Sequence, residues 1–185
     1  MSGHNKFSKI KRLKAKNDAQ KSSVFTKLAK MIQVEAKKSG GTMSAGLRAA
    51  VEKARSFDMP NDNIDRAIKK ASAAEQMEEV TYEAYGPGGV AIIVEALTPN
   101  KNKAAAEVKH ILSKHGTSLA SSGSASWAFE KTAEGWVAKT MAPILQEDAD
   151  ALQRLIDDLE ENEEVQDVYT NAEFMEEGGD DEAHV

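Results

Sequence analysis

Cysteine is absent from the chain, which excludes disulfides, thiolate zinc sites and a catalytic thiol and suits a reducing cytosol. Long hydrophobic runs are missing too. The strongest, VAIIVEAL at 90–97, falls far short of the roughly 20 apolar residues that cross a bilayer, so no membrane segment is expected. The N-terminus is basic but has no apolar stretch or cleavage site behind it, and no secretory signal is read there. An uncleaved targeting arm is the weaker reading, because acids begin at Asp18 and an amphipathic pattern follows at once.

Patterns that carry catalysis are equally scarce. The histidines are His4, His110, His115 and His184, and none stands in an HExxH or similar metal-ligand spacing. His110 and His115 would point roughly 140° apart on a helix, so they do not grip one metal; His115, near a helix end, is expected to meet exposed carbonyls. The loop Gly86-Pro87-Gly88-Gly89 lacks the GK[ST] ending of a P-loop and precedes a strand-like run where that motif needs a helix; it reads as a tight turn. Ser22, Ser23, Ser39 and the run Ser121-Ser122-Gly123-Ser124 have no partner His and acid at a known spacing. Asp157-Asp158 and Glu160-Glu161 read as a solvated helix face, and Trp127 and Trp136 as core residues. No enzyme, no metal and no cofactor is expected.

What the chain has is charge, unevenly placed. The formal net charge is -6, yet residues 1–70 hold 17 Lys+Arg against 6 Asp+Glu, whereas residues 71–185 hold 7 against 24. A surplus of eleven positive charges thus precedes a surplus of seventeen negative ones. Such asymmetry points to nucleic acid or another anionic surface, because clustered Lys and Arg release condensed counterions from phosphates. Within the first sixteen residues Lys6, Lys9, Lys11, Arg12, Lys14 and Lys16 occur with no acid, and Gly3, His4, Phe7 and Ile10 interleave them. Point charges for phosphates beside an aromatic anchor are what a nucleic-acid-binding arm needs. On this reading Lys6, Lys9, Lys11, Arg12 and Lys14 contact phosphate, His4 and Phe7 contact base or ribose, and Lys27 and Lys30 extend the surface.

Hydrophobic periodicity predicts three helices in the first half: one from Ser22 to the Ser39-Gly40-Gly41 breaker, one bearing Leu47, Ala50, Val51, Ala54 and Phe57, and a short one starting at Asn61–Asn63, where Asn or Asp caps it. The polar segment 71–80 marks a boundary. Beyond it TYEAYG and VAIIVEAL read as strands, KNKAAAEVKHILSKH as a helix, ASWAFEK and GWVAKTM as a hairpin, EDADALQRLIDDLEEN as a helix and VQDVYT as a final strand. Counted from VAIIVEAL the order is β-α-β-β-α-β, with TYEAYG extending or flanking the sheet. The expected fold is α+β: a basic arm and three-helix bundle over 1–74, a ferredoxin-like βαββαβ domain over 75–174, and an acidic disordered tail over 175–185.

The stretches MSGHNKFSKIKRLKAKNDAQKSSVFTKL, MPNDNIDRAIKK, YEAYGPGGVAIIVEALTPNKNKAAAEVKH and DDLEENEEVQDVYTNAE resemble the YebC/PmpR family, related to the mitochondrial translational activator of cytochrome c oxidase. The resemblance runs from Ser2 to Glu173. It implies a cytoplasmic, non-enzymatic protein that binds nucleic acid, since family members are described as DNA-binding transcriptional regulators or as ribosome-associated translation factors. It adds Ser2 and Gly3 to the arm's candidate residues, and makes Gly86, Pro87, Gly88 and Gly89 with Asn100, Lys101, Asn102 and Lys103 a candidate functional loop. Ribosomal RNA is the favoured partner and promoter DNA the alternative, with ribosomal proteins meeting the acidic domain. Phe7 stands where the family usually has Trp, and Leu13 where it has His. FEKTAEGWVAKTMAPILQ passes straight into the last helix, where longer relatives carry a third, inserted module.

Overall fold

In a computed structural model, residues 18–175 are described, and the chain divides into two compact units between Glu78 and Glu79. The arm residues Ser2, Gly3, His4, Lys6, Phe7, Lys9, Lys11, Arg12, Lys14 and Lys16, and nearly all of the acidic tail, lie outside the described residues.

The described residues of the first unit form three helices, α1 (Asp18–Lys38), α2 (Ala45–Ser56) and α3 (Asn61–Lys70). Each buries one stripe: Leu28, Ile32 and Ala36 on α1, Leu47, Ala50, Val51 and Ala54 on α2, and Ile64 and Ala67 on α3. These recur three or four residues apart, so the three stripes meet in one core while the remaining positions stay wet. Gly40 and Gly41, at φ 60° and 81°, turn the chain out of α1, and the Gly41 N–H donates to the Ala36 carbonyl at 2.8 Å. Ser44 caps α2, its Oγ accepting from the Leu47 N–H at 3.1 Å. The expected Asn or Asp cap on α3 is not formed: Pro60 occupies the cap position, no side chain bonds the first turn, and the Pro60 carbonyl takes the Asn63 and Ile64 N–H groups. Proline's fixed φ starts the helix without a side-chain acceptor.

The second unit is α+β. Its strands are β1 (Glu78–Tyr85), β2 (Ala91–Thr98), β3 (Phe129–Thr132), β4 (Gly135–Ala138), β5 (Ala142–Ile144), β6 (Val165–Thr170) and β7 (Ala172–Phe174); its helices are α4 (Lys101–Lys114) and α5 (Gln146–Glu161). The expected succession occurs as β2, α4, β3, β4, α5 and β6, with the short β5 inserted between β4 and α5. The strands sort into a three-stranded sheet in the order β1-β2-β6, a separate β3–β4 hairpin and a small parallel pair, β5 with β7. TYEAYG, expected to extend or flank the sheet, is therefore an edge strand hydrogen-bonded to β2.

β2 is the central strand, and both of its faces are covered. Ile92 and Val94 point toward Val108 and Leu112 of α4 and Leu152, Leu155 and Leu159 of α5, while Ala91 and Ile93 face Ala125, Ala128 and Phe129. Two-sided burial explains why this strand is a continuous apolar run and does not alternate. β6 pairs antiparallel with it, Val94 opposite Val168, and the register slips at a bulge between Glu95 and Ala96.

A polar staple joins the two helices. His115 Nε2 lies 2.8 Å and Lys114 Nζ 3.0 Å from Asp158 Oδ2. The His115 side chain thus engages a carboxylate of α5, while its backbone N–H meets the helix-end carbonyls of Ile111 and Leu112, and Asp158 belongs to a contact more than to a solvated face. The His115 hydrogen bond and then Lys114 hold the Asp158 carboxyl below its ordinary range. A depressed carboxylate pKa contributes stability above the unfolded value of about 3.9 that is lost as pH falls through the lower folded value. Asp158→Asn should remove roughly 1 kcal/mol of stability at neutral pH and flatten the acid limb of the stability profile below about pH 4, read by urea unfolding at stepped pH.

The hairpin closes over the other face of the sheet. Glu95 Oε1 accepts from Trp136 Nε1 at 2.9 Å and from Lys131 Nζ at 3.0 Å, and Tyr169 also bonds Glu95. Burial, then Asp167 and Glu95, push the Tyr169 hydroxyl far up, so it stays a donor. Phe129 meets Trp136 edge-on, and Lys131 Nζ sits 5.0 Å from the indole centroid. Gly135 ends the short turn at φ 119°, and a Cβ there would overlap the Tyr169 hydroxyl. Gly135→Ala should therefore cost about 3 kcal/mol, a sum of positive-φ strain and displacement of Tyr169, measurable as a lowered urea midpoint.

Candidate nucleic-acid interface

Because the apolar stripes of α1 to α3 face inward, their charged positions face solvent. Lys37, Lys38, Arg48, Lys53, Arg55, Arg66, Lys69 and Lys70 are exposed, and the last turn of each helix carries two of them. Cations there also complement the helix dipole, so part of the pattern is local stabilisation. Lys38 pairs with Glu35 at 2.8 Å and Lys37 Nζ donates to the Ala74 carbonyl at 2.6 Å. Lys27 and Lys30, expected to extend the cationic surface, are half-buried on α1 on either side of the buried Leu28. Glu52, Asp58, Asp62 and Asp65 are exposed among the bases. The purest cationic stretch remains residues 1–21, with seven Lys+Arg and one acid.

The two parts of the candidate loop separate. Gly86–Gly89 precedes β2 and Asn100–Lys103 follows it, so the eight residues of that strand, roughly 26 Å at 3.3 Å per residue, stand between them. Each part has a structural task. Gly88 takes φ 71°, and a Cβ there would come within 2.6 Å of Ile144 Cγ2 and 3.1 Å of Asp148 Oδ2, so the turn packs closely on β5 and the start of α5. Asn100 caps α4, its Oδ1 accepting from the Asn102 and Lys103 N–H groups, each at 3.1 Å. Lys101 and Lys103 are exposed, and Lys103 Nζ lies 3.7 Å from Glu107.

Sequence reasoning missed a different constellation, at the end of β1. Glu83 is buried, and its carboxylate accepts three backbone N–H groups of one loop: Gly123 at 2.7 Å, Ala125 at 2.7 Å and Ser126 at 2.8 Å. Burial raises the carboxyl pKa, but the Gly123, Ala125 and Ser126 bonds outweigh it and the net shift is downward. Ser121–Ser126 is thus clamped around an anion; ASWAFEK, expected as a strand from Ala125, is a loop and a short turn here and becomes a strand only at Phe129. The loop leads into Trp127, which is 56% exposed, whereas Trp136 is half-buried. Trp127 is therefore not the core residue expected of it. Its Nε1 donates to the Tyr85 hydroxyl at 3.1 Å, and Tyr85 donates in turn to the Ser124 carbonyl. No local pattern announces this site, because Glu83 and its donors are about 40 positions apart. Among the described residues no group of His, Asp and Glu could hold a metal ion, and no helix is long and apolar enough to cross a membrane.

A cationic helical unit followed by an acidic α+β unit is the class of protein that this geometry defines. The TACO1/YebC N-terminal domain model matches residues 5–74, and the model for the TACO1/YebC second and third domain matches 77–135. The chain belongs to the TACO1/YebC family. A "Probable transcriptional regulatory protein" of Syntrophus aciditrophicus is 45% identical over 182 residues, covering 92% of this chain and 71% of its own length. One of the same description from Nitratiruptor is 54% identical over 136 residues, 71% of this chain, which spans only 57% of that relative's length. A crystal structure of a conserved hypothetical protein from Aquifex aeolicus superposes with a TM-score of 0.77 at 31% identity, over 88% of this chain and 94% of that one. The second match ends at Gly135, the turn after which longer relatives are expected to carry their inserted module.

Proposed function

We propose that the chain is a non-enzymatic, nucleic-acid-binding regulator of gene expression that acts in translation in association with ribosomal RNA in the cytoplasm. The observation that carries this reading is the division of charge, eleven surplus positive charges before residue 71 and seventeen negative after it. Phosphates are met by Lys6, Lys9, Lys11, Arg12, Lys14 and Lys16, supported by the exposed bases of α2 and α3; His4 and Phe7 contact base or ribose, and Ser2 and Gly3 belong to the same binding arm. The acidic unit is repelled from phosphate and meets ribosomal protein, which orients the complex.

The description of these relatives as probable transcriptional regulatory proteins favours a second reading, a transcriptional regulator on promoter DNA. The helices of the first unit have short connections, but a basic arm suits structured RNA at least as well as a duplex groove. Sedimentation of cell extract through sucrose at low salt separates the two. The translation reading expects the protein in ribosomal fractions; a protein absent from them that protects one promoter sequence from nuclease assigns it to transcription.

A further inference from the structure

Tryptophan is seldom left more than half exposed, and apolar surface in water is costly unless something covers it. Around Trp127 the chain invests in keeping the indole out. Its Nε1 is held by Tyr85, itself 37% exposed, Tyr85 is held by the Ser124 carbonyl, and the loop beneath is clamped by Glu83. Tyr85 is anchored a second time through its backbone carbonyl, which accepts from Thr117 Oγ1 at 2.5 Å. The aromatic pair is thus fixed before any ligand arrives, and little freedom is left to lose on binding.

The surroundings say what kind of ligand fits. Residues 116–129, GTSLASSGSASWAF, contain no charged side chain and no histidine, although 29% of the chain is charged. In the half that carries 24 acids against 7 bases, they form a stretch with no charge to repel a polyanion. Ser121 and Ser122 are exposed in the loop that leads to the platform, and Lys139 adjoins it, its backbone N–H donating to the Ala128 carbonyl at 2.8 Å. Flat aromatic faces, neutral donors and acceptors and one cation match an unpaired nucleobase and its phosphate. Base pairs in a duplex hide the faces that such a platform needs.

We infer that Trp127 and Tyr85 form a stacking platform for an unpaired base of single-stranded nucleic acid, with Lys139 beside its phosphate. The inference rests on the nucleic-acid reading above and deepens it, since the cationic half supplies attraction and this platform selects unpaired over paired strands.

The test titrates the full chain with oligouridylate, oligothymidylate and a matched RNA duplex, following tryptophan emission and affinity. Single strands should quench emission and the duplex should not; the quench should vanish in Trp127→Phe, which leaves Trp136 as the sole indole but keeps a stacking ring and most of the affinity. Trp127→Ala should weaken single-strand binding about tenfold to a hundredfold with the salt slope unchanged. The ribo and deoxy strands together tell whether a 2′-hydroxyl is read. Unchanged affinity in Trp127→Ala, with the parent still binding, would overturn the platform and leave the nucleic-acid reading standing. A parent that binds no strand overturns both, and loss of a self-associated species in Trp127→Ala with unchanged oligonucleotide affinity would reassign the surface to a second copy of the chain.

Discussion

Glu83→Ala is expected to lower the stability of the α+β unit by about 4 kcal/mol, the largest effect of any single substitution considered for this chain. Three charge-assisted hydrogen bonds disappear together, each of a kind that contributes about 1.5–3 kcal/mol, and water can reach only part of the space left. The Ala125 donor is buried and keeps no partner, whereas Gly123 and Ser126 regain some hydration. Glu83→Gln should recover little, because its amide nitrogen would face an N–H where the carboxylate offered an oxygen. The pH dependence has a definite sign. The folded carboxyl lies below its ordinary value, so its contribution is complete above the unfolded pKa of about 4.3 and fades as pH drops through the folded one. Urea unfolding at neutral pH and near pH 3 checks the sign: the gap between parent and Glu83→Ala should be smaller at the second than at the first. A variant as stable as the parent at neutral pH would show that the loop holds itself without the carboxylate.

Replacing Lys9, Lys11, Arg12 and Lys14 with Ala is expected to act on binding and leave folding alone. Each phosphate contact contributes about 0.7 to a single-strand salt slope and about 0.9 to a duplex one, so losing four should flatten the log–log plot by about 3. Affinity at low salt should fall by roughly two to three orders of magnitude, with the thermal transition of the protein little moved. The opposite pattern, an unchanged slope with a lowered transition, would make the arm a part of the fold and not a binding element.

Local physics made much of this molecule legible beforehand, and its limits were physical too. The helices announced themselves through stripes such as Leu47, Ala50, Val51 and Ala54, because one buried face imposes a period that needs no knowledge of the partner. β2 was readable as an unbroken apolar run, since both of its faces are covered. β5 and β7 escaped notice: each is three residues long, too short to show a period, and Pro143 argues against a strand. Trp127 was misplaced for a different reason. Tryptophan is usually buried, and what holds this one outward is a relay from Glu83 and Tyr85 that joins residues about 40 positions apart. The same distance problem grouped Gly86–Gly89 with Asn100–Lys103, neighbours in sequence that β2 sets at its opposite ends.

These observations describe two units with different electrostatic tasks. The first gathers positive charge on helices and on the preceding arm, and the second is acidic overall and holds an uncharged loop that presents an indole. The measurement that tests this account most directly is the affinity of the intact chain for RNA as a function of salt. The account predicts tight binding at low salt that weakens linearly in log–log form, with a slope of about 4 or more from the phosphates met by the arm and helices. Binding that is absent at low salt, or indifferent to salt, would contradict it.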